Sequence, residues 1–227
     1  MKVIVTIPAY NEETDIEKTI NDIRQVMDKT SYTYLVLVHD DCSTDKTLTI
    51  AKKAANFIST NTQRQGLAIT FQNEIDHCLQ LQGDIIVHTD GDGQYPPQYI
   101  PQLVAKVEQG YDLVIGSRFL GGINYGNSYL KAIGNIFFSA LISFISGRKT
   151  TDVTSGLRAI NRKTAISIKI RSKFTYTYDQ YLQAVEKKLN IIEIPIKGRK
   201  TRKSRLMKNV FDYTWKALWD IFVNFRR

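Results

Sequence analysis

The chain has 227 residues, of which 43% are hydrophobic and 23% charged, with a formal net charge of +9; this composition excludes a disordered protein and predicts one globular domain. Its two cysteines, Cys42 and Cys78, lack the close spacing of a disulfide framework or a cysteine-based zinc site. Such sparse cysteine usage favours a reducing, cytoplasmic setting.

The positive charge is concentrated near the carboxyl terminus. Residues 197–227 contain ten Lys and Arg but two Asp, which accounts for +8 of the net charge. A basic segment predicts an anionic partner, and the charge alone leaves phosphates, acidic lipid and nucleic acid open. No transmembrane helix is predicted, because the longest apolar stretch, 133–145, is too short to cross ~30 Å of hydrocarbon.

Short apolar runs alternate with helical patterns along the chain. The first run follows Met1 and Lys2 without the long apolar region of a signal peptide, so it predicts a buried strand. A Thr14–Glu17 capping box predicts the start of the first helix. The predicted strands are 3–7, 34–38, 84–88, 112–115 and 191–196, with further helices near 44–55, 67–81 and 100–109. This alternation predicts an α/β fold with a mostly parallel central sheet flanked by helices, the first 120 residues forming a Rossmann-like nucleotide-binding half.

Polar clusters follow four of the predicted strands. In a parallel sheet the carboxyl ends of the strands meet at one edge, where ligands bind. The clusters are Pro8-Ala9-Tyr10-Asn11-Glu12, Asp40-Asp41, Asp90-Gly91-Asp92 and Ser117-Arg118. The sequence therefore predicts that they converge on one polar crevice.

Asp90 and Asp92 are two residues apart directly after an apolar strand. A local turn can direct both carboxylates at one hard cation, and Mg²⁺ or Mn²⁺ bridged to a diphosphate fits two carboxylates with coordination sites left over. A solvated loop is the alternative that the pair alone leaves open. An EF-hand is excluded, because Tyr95 stands where that loop requires glycine.

Asp40 and Asp41 form a second acidic pair at a strand end. Two adjacent carboxylates there suit hydrogen bonds to a ribose or a base edge. The alternative is a helix amino-terminal region, since Ser43, Thr44 or Asp45 has to begin the next helix. Both interpretations stay open for this pair.

Taken together, five motifs resemble glycosyltransferase family 2 enzymes with the GT-A fold, and among them the dolichyl-phosphate or polyprenyl-phosphate mannosyl- and glucosyltransferases. The resemblance covers residues 7–206. The matching motifs are Ile7-Pro8-Ala9-Tyr10-Asn11-Glu12, Val38-His39-Asp40-Asp41-Cys42-Ser43-Thr44-Asp45, Thr89-Asp90-Gly91-Asp92-Gly93-Gln94-Tyr95-Pro96-Pro97, Gly116-Ser117-Arg118 and Thr154-Ser155-Gly156. Each motif is weak by itself, and their order and joint presence make the match specific.

The resemblance implies roles for the strand-end residues. The implied nucleoside-binding residues are Pro8, Tyr10, Glu12, Asp40 and Asp41. The metal and the sugar diphosphate would be held by Asp90, Asp92 and Gln94. Arg118 would contact a phosphate. The implied catalytic residues are therefore Asp90, Asp92 and Arg118. Two positions depart from the family pattern, since His39 stands at a usually aliphatic position and Cys42 at a usual glycine. If the backbone there requires a positive φ, a cysteine costs about 1 kcal/mol or more.

The second half of the chain is expected to hold the acceptor. The segment 199–205 is dense in guanidinium groups, which suit a lipid phosphate or the donor diphosphate, although a solvated basic loop is the alternative. The Ser204-Arg205 pair resembles a Ser-Lys-like pair in a basic loop of the family. The candidate phosphate-binding residues are Arg118, Lys131, Ser155, Arg199, Arg202, Ser204 and Arg205. A hydroxyl acceptor would instead need a carboxylate base, for which Asp152 and Asp179 are the candidates.

Two helical segments are candidates for membrane contact. Residues 129–145 carry an apolar band that suits either an interfacial helix or a core helix. Residues 206–227 form a predicted amphipathic helix with basic flanks, which either lies on a membrane or packs on the domain. The predicted organisation is thus a GT-A domain at 1–205 and a basic helix at 206–227, peripheral at the cytoplasmic face of a membrane.

The expected function is metal-dependent, inverting transfer of a hexose from a GDP- or UDP-sugar to a polyprenyl phosphate. The first alternative is an enzyme of the same fold that glycosylates a saccharide hydroxyl. A sugar nucleotidyltransferase is disfavoured because no glycine-rich loop lies near the amino terminus. The most distant alternative is a non-catalytic nucleic-acid-binding protein, against which the aligned acidic clusters argue; no nucleic acid partner is expected.

Overall fold

A computed structural model describes residues 1–122, 129–199, 218–221 and 223, with the side chains of 129–131 left out. Its centre is a seven-stranded sheet in the order β3-β2-β1-β4-β6-β5-β7. The strands are β1 Lys2–Ala9, β2 Thr33–Asp40, β3 Phe57–Thr60, β4 Ile85–His88, β5 Leu113–Ser117, β6 Arg158–Asn161 and β7 Ile191–Pro195. Among these described strands only β6 runs opposite to the others, pairing antiparallel with β4 and β5. The expected α/β fold with a mostly parallel sheet is confirmed.

Helices cover both faces of the sheet. They are α1 Ile16–Met27, α2 Thr47–Ala54, α3 Leu67–Gln80, α4 Ile100–Glu108 after a 3-10 turn at Pro97–Tyr99, α5 Arg118–Gly121, α6 Tyr129–Ser146, α7 Arg162–Ser167 and α8 Tyr176–Glu186. Alternate residues of β1 point to opposite faces, so Val3 and Val5 join the core under α1 and α4, and Ile4 joins the core under α3, α6 and α8. Burial on both faces explains why β1 is a continuous apolar run.

The five predicted strands all form, and β3 and β6 are additional. Each of these two has four residues, and β6 begins with a charged residue, Arg158, so neither shows an apolar run. The predicted Thr14–Glu17 capping box is wrong. Asp15 occupies the N-cap of α1 without a side-chain cap bond, and the backbone N–H groups of Asp15 and Ile16 donate instead to the Glu12 carbonyl at 3.0 and 2.9 Å.

Helix α6 and the carboxyl-terminal segment pack against the same core. Phe138 and Ile142 of α6 and Ile221 are buried in one cluster. The Asp220 carboxylate accepts hydrogen bonds from the Ser172 hydroxyl and, at 2.8 Å, from the Tyr178 hydroxyl. Residues 218–221 are therefore docked on the domain, whereas most of the predicted helix at 206–227 lies outside the described residues. In the part of the chain that the structure describes, no helix combines the length and apolar character needed to cross a bilayer.

Candidate active site

The motifs at the strand ends lie along one edge of the sheet. Strands β1, β2, β4 and β5 share one direction, so the residues that follow them meet at the carboxyl edge. The turn after β4 also packs on the end of β1, because a Cβ added at Gly91 would lie 3.2 Å from the Pro8 carbonyl oxygen. The strand ends therefore meet at one edge of the sheet, as predicted; that their polar side chains share one crevice stays a prediction.

The loops after β1 and β2 are locked together by hydrogen bonds. Asn11 adopts a left-handed backbone with φ 55°, and its Oδ1 accepts from the Thr44 N–H at 2.8 Å. Its own N–H donates to the Ser43 hydroxyl at 2.9 Å, and the Glu12 N–H donates to Thr47 Oγ1 at 2.7 Å. Asn tolerates this conformation better than most residues, which explains its presence at the bend. The conformation of the Pro8–Glu12 motif therefore depends on the second motif.

Asp40 and Asp41 have different surroundings. Asp40 Oδ2 accepts from the Ser43 N–H at 3.0 Å, whereas its buried Oδ1 has no hydrogen-bond partner among the described residues. Asp41 is fully engaged, since its oxygens accept from Asn61 Nδ2 at 2.7 Å and from the N–H groups of Gln65 and Gly66 at 2.8 and 2.9 Å. Asp40 is thus the carboxylate with a buried oxygen left unpaired within the described residues, and Asp41 holds the loop 61–66. Neither caps the next helix, because α2 begins at Thr47 after Lys46.

Loop 61–66 supplies a residue that sequence reasoning missed. The exposed guanidinium of Arg64 lies over the Tyr10 ring, 4.1 Å from its centroid. No sequence signal marks Arg64, because its position depends on the clamp that Asp41 applies to the next two residues. Cys42, which directly follows Asp41, has φ 62°, so the departure from glycine does place a side chain in a left-handed backbone at a cost of about 1 kcal/mol.

Asp90 and Asp92 lie in the turn that follows β4. About a third of the Asp90 side chain is exposed, at 34%. Gly156 approaches it so closely that an added Cβ would lie 2.8 Å from Asp90 Oδ1, so any other residue there would displace the Asp90 carboxylate. Asp92 Oδ1 accepts from the Gln94 N–H at 2.9 Å, and the Gln94 carbonyl accepts from the Arg199 N–H at 2.9 Å. The acidic turn therefore touches both the 154–156 motif and the first residue of the predicted basic loop.

The acidic turn carries two carboxylates that could bind one metal ion together. Burial and the neighbouring Asp92 carboxylate raise the pKa of Asp90 to about 6, and burial also raises the pKa of Asp92. Within the described residues no group of three or more ligating side chains is found. Two carboxylates fit an ion that completes its coordination with phosphate oxygens and water, as Mg²⁺ does with nucleotides. The residues present fit the predicted Mg²⁺ or Mn²⁺, with Gln94 in the same turn.

A buried His–Glu pair lies behind Asp90. His88 Nδ1 is 2.8 Å from Glu74 Oε2, and its Nε2 is 3.9 Å from Asp90 Oδ1. Burial lowers the pKa of His88 to about 4 and raises the pKa of Glu74 well above its usual range. His88 is consequently neutral near pH 7. Sequence reasoning missed Glu74, because an isolated glutamate on an amphipathic helix resembles any surface residue.

Arg118 is already paired. Its Nε and Nη2 donate to the two Asp152 carboxylate oxygens at 2.7 and 2.8 Å, and Nη2 also donates to Thr154 Oγ1 at 2.9 Å. This bidentate pair is buried. Arg118 therefore orients the turn that leads into the 154–156 motif, and Asp152 is engaged as its counter-ion. Asp179, the other candidate base, accepts from the N–H groups of Arg171 and Ser172 at 2.5 and 2.8 Å, which is a structural role.

Arg158 is a second buried arginine, and sequence reasoning missed it. Its guanidinium donates to the carbonyls of Val153, Ser155 and Thr177 and to Gln180 Oε1, at 2.5, 2.8, 2.6 and 3.0 Å. These acceptors come from the loop before β6 and from α8, so Arg158 joins the two. It thereby holds the backbone that leads into Gly156, the residue that approaches Asp90.

Of the remaining predicted phosphate-binding residues, the structure describes the side chains of two. Ser155 is buried, and its hydroxyl has no hydrogen-bond partner among the described residues. Arg199 is half-exposed, with Nη1 3.3 Å from Asp22 Oδ2. The Lys131 side chain and Arg202, Ser204 and Arg205 lie outside the described residues.

The raised pKa of Asp90 predicts a pH-dependent response to metal. Its folded pKa of about 6 exceeds the ordinary 3.8, so in the metal-free protein its stabilising contribution is present below pH 4 and is lost as the pH rises through 6. A divalent cation competes with the proton for the same oxygens. We expect Mn²⁺ to raise the melting temperature more at pH 7.5 than at pH 5, measured by differential scanning fluorimetry. Asp90→Asn should remove that pH-dependent gain, and an equal Mn²⁺ shift at both pH values would contradict the assignment.

Comparisons with known proteins show which family the chain resembles. Residues 4–168 match the family described as Glycosyl transferase family 2. The dolichyl-phosphate hexose transferase of Haloferax volcanii is 31% identical over 196 residues, covering 86% of this chain and 82% of the relative. The UDP-N-acetylglucosamine–dolichyl-phosphate N-acetylglucosaminyltransferase of Methanococcus voltae is 30% identical over 217 residues, covering 86% and 84%.

The fold also resembles solved structures. Glucosyl-3-phosphoglycerate synthase from Mycobacterium tuberculosis, in complex with Mn²⁺, UDP-glucose and phosphoglyceric acid, superposes with a TM-score of 0.77 at 20% identity, covering 99% of this chain and 80% of that chain. At this identity the likeness supports the GT-A fold. Because the family match covers well over half of the chain, from β1 to α7, the protein belongs to the family 2 glycosyltransferases.

Proposed function

We propose that the protein transfers a hexose from a nucleotide sugar to a polyprenyl phosphate in a metal-dependent, inverting reaction. The observation that carries the proposal is the contact of the Asp90–Asp92 turn with three other parts of the site. That turn packs on Pro8, approaches Gly156 and bonds through Gln94 to the Arg199 backbone. A donor pyrophosphate at this turn would lie between the nucleoside-binding loops and the basic segment.

The donor side uses the loops after β1, β2 and β4. Asp40 presents a buried carboxylate oxygen with no described partner, which suits a ribose hydroxyl or a base N–H. A metal ion held by Asp90 and Asp92 would stabilise the negative charge on the departing nucleoside diphosphate. The residues proposed to hold the donor are Pro8, Tyr10, Glu12, Asp40, Asp90, Asp92 and Gln94, with Asp41 acting through loop 61–66.

The acceptor side favours a phosphate over a hydroxyl. A phosphate monoester is anionic at neutral pH, so it attacks the anomeric carbon without a strong base and requires cations that hold two anions close together. The two carboxylates considered as a base for a hydroxyl acceptor, Asp152 and Asp179, are both engaged in structural hydrogen bonds. The relatives named for dolichyl-phosphate transfer support the same choice. The proposed acceptor cations are Lys131, Arg199, Arg202 and Arg205, with Ser155, Ser204 and the Arg118–Asp152 pair shaping the site.

The function is tested by following label from the donor. The protein is incubated with Mg²⁺ or Mn²⁺, a panel of radiolabelled GDP- and UDP-sugars, and polyprenyl phosphate in detergent. We expect label from one donor to enter the organic phase, and chelation of the metal to abolish its entry. Extension of a soluble saccharide without labelled lipid would support the hydroxyl-transfer alternative instead.

We further propose that the protein works at the cytoplasmic face of a membrane, with the domain at 1–205 and a basic amphipathic segment at 206–227. Helix α6 leaves large apolar side chains exposed, and Trp219 in the docked carboxyl-terminal segment is 61% exposed. The exposed residues of α6 are Ile133, Ile136, Phe137 and Phe144. The basic charge that the sequence carries in residues 197–227 suits the anionic lipids of that leaflet.

Point substitutions test this orientation better than truncation, because deleting 206–227 would also remove the buried Ile221. Phe144→Glu places a charge on the 86% exposed position of α6. We expect it to reduce co-sedimentation with anionic liposomes about tenfold, an effect of ~1.4 kcal/mol. The control is Ile166→Glu on α7, also exposed, which should leave binding unchanged. Equal binding by wild type and Phe144→Glu would refute the membrane role of α6.

A further inference from the structure

His39 is one of the two departures from the family pattern. It lies at the end of β2 and is buried. Its Nδ1 is 2.5 Å from Ser59 Oγ, the residue opposite it on β3. Its Nε2 is 3.0 Å from Asn61 Oδ1. The imidazole therefore contacts both β3 and the first residue of loop 61–66.

The hydrogen bonds of Asn61 determine the roles of the two imidazole nitrogens. Asn61 Nδ2 is 2.7 Å from Asp41 Oδ1, and a carboxylate is an acceptor, so the amide nitrogen must face Asp41. Asn61 Oδ1 then faces His39 and also accepts from Asn73 Nδ2 at 2.9 Å. Because this oxygen only accepts, His39 Nε2 carries a proton and donates it. In the neutral imidazole Nδ1 accepts from the Ser59 hydroxyl, so every contact in the network is satisfied.

The network extends from His39 to the donor side of the site. Asp41, which Asn61 orients, also binds the N–H groups of Gln65 and Gly66. Between Asn61 and these residues lies Arg64, whose guanidinium is 4.1 Å from the centroid of the Tyr10 ring. The hydrogen bond from His39 helps to keep Asn61 Oδ1 turned away from the Asp41 carboxylate. Without His39, the Asn61 side chain would have one hydrogen bond fewer to maintain that orientation. Rotation of that amide would place two acceptors against each other and release the loop.

We infer that His39 is a positioning residue for nucleotide binding, which acts through Asn61 and Asp41 to hold loop 61–66 against Tyr10. The inference rests on the proposed function, since it takes the nucleotide to bind beside Tyr10. His39 touches no reacting atom, so it contributes to donor affinity and leaves the chemical step unchanged.

The test compares His39→Leu, which removes both bonds, with His39→Gln, whose amide nitrogen can replace Nε2. The control is His77→Leu on α3, whose ring lies 5.7 Å from His39. His77 bonds to the backbone carbonyl of Asn73, whereas the Asn73 side chain is the part that bonds to Asn61. Hydrogen exchange of residues 61–66 is measured without ligand. Binding of UDP and of GDP is measured by calorimetry with Mn²⁺, and kcat and KM with the accepted nucleotide sugar.

We expect His39→Leu to accelerate exchange in 61–66 and to weaken nucleotide binding about tenfold, a change of ~1.4 kcal/mol, with kcat within about twofold of wild type. His39→Gln should recover most of the affinity, and His77→Leu should match wild type. Unchanged exchange in 61–66, or a fall in kcat without a change in affinity, would overturn the inference. If wild type binds neither nucleotide, the proposed function fails, while the exchange data still decide whether His39 holds the loop. If His39→Leu does not fold, His39→Asn decides the same question, because its amide can replace Nδ1 towards Ser59 but does not reach Asn61. Wild-type exchange in residues 61–66 of His39→Asn would overturn the inference.

Discussion

Asp92→Asn is expected to lower kcat for sugar transfer by about 10³-fold, equivalent to ~4 kcal/mol of transition-state stabilisation. The substitution removes one of the two carboxylate charges of the metal-binding turn. The new amide would keep an oxygen to accept the Gln94 N–H, which Asp92 Oδ1 accepts at 2.9 Å. Because burial raises the pKa of Asp92, loss of its charge does not destabilise the fold. The unfolding midpoint in urea should therefore stay at or above that of wild type.

A matched control separates charge loss at the site from charge loss in general. Asp76 on α3 is 43% exposed and pairs with Lys169 at the surface. Asp76→Asn makes the same chemical change outside the crevice, and we expect wild-type kcat from it. Full activity in folded Asp92→Asn protein would overturn the assignment of this turn to the metal.

Arg158→Met is expected to lower the free energy of unfolding by about 3 kcal/mol. The guanidinium of Arg158 satisfies three backbone carbonyls and Gln180 Oε1 inside the protein. Removing it takes a hydrogen bond from each of these acceptors, at ~1–3 kcal/mol for each one left unpaired, and this outweighs the several kcal/mol recovered by no longer burying a charge. Urea denaturation followed by circular dichroism measures the change.

Arg162→Met is the control for this prediction. Arg162 begins α7, four residues later, and donates to the Leu79 and Gly83 carbonyls at the longer distances of 3.2 and 3.3 Å from a half-buried position. We expect a loss of about 1 kcal/mol or less there. Equal losses for the two variants would show that Arg158 contributes no more to the free energy of unfolding than the half-buried Arg162 does. A folded Arg158→Met enzyme should also lose activity, because the backbone around Gly156 would no longer be held against Asp90.

The sequence by itself determined the class of fold and the edge at which the site forms. Buried parallel strands need apolar side chains on both faces, so β1, β2 and β4 are readable as apolar runs, and the polar residues that follow them mark where each strand ends. The alternation of strands and helices predicts that these strands run parallel, and parallel strands have their carboxyl ends at one edge of the sheet. For the same reason the sequence alone identifies Asp90 and Asp92 as a pair at a strand end.

Only the tertiary structure decided which polar side chains are available to ligands. Asp40 and Asp41 are equivalent in the sequence, and they differ because Asn61, Gln65 and Gly66 return to bind Asp41. Asp152, 34 residues away in the chain, accepts hydrogen bonds from Nε and Nη2 of Arg118. Hydrogen bonds between residues far apart in sequence leave no periodic pattern, because they depend on where the packed helices and strands bring two loops together.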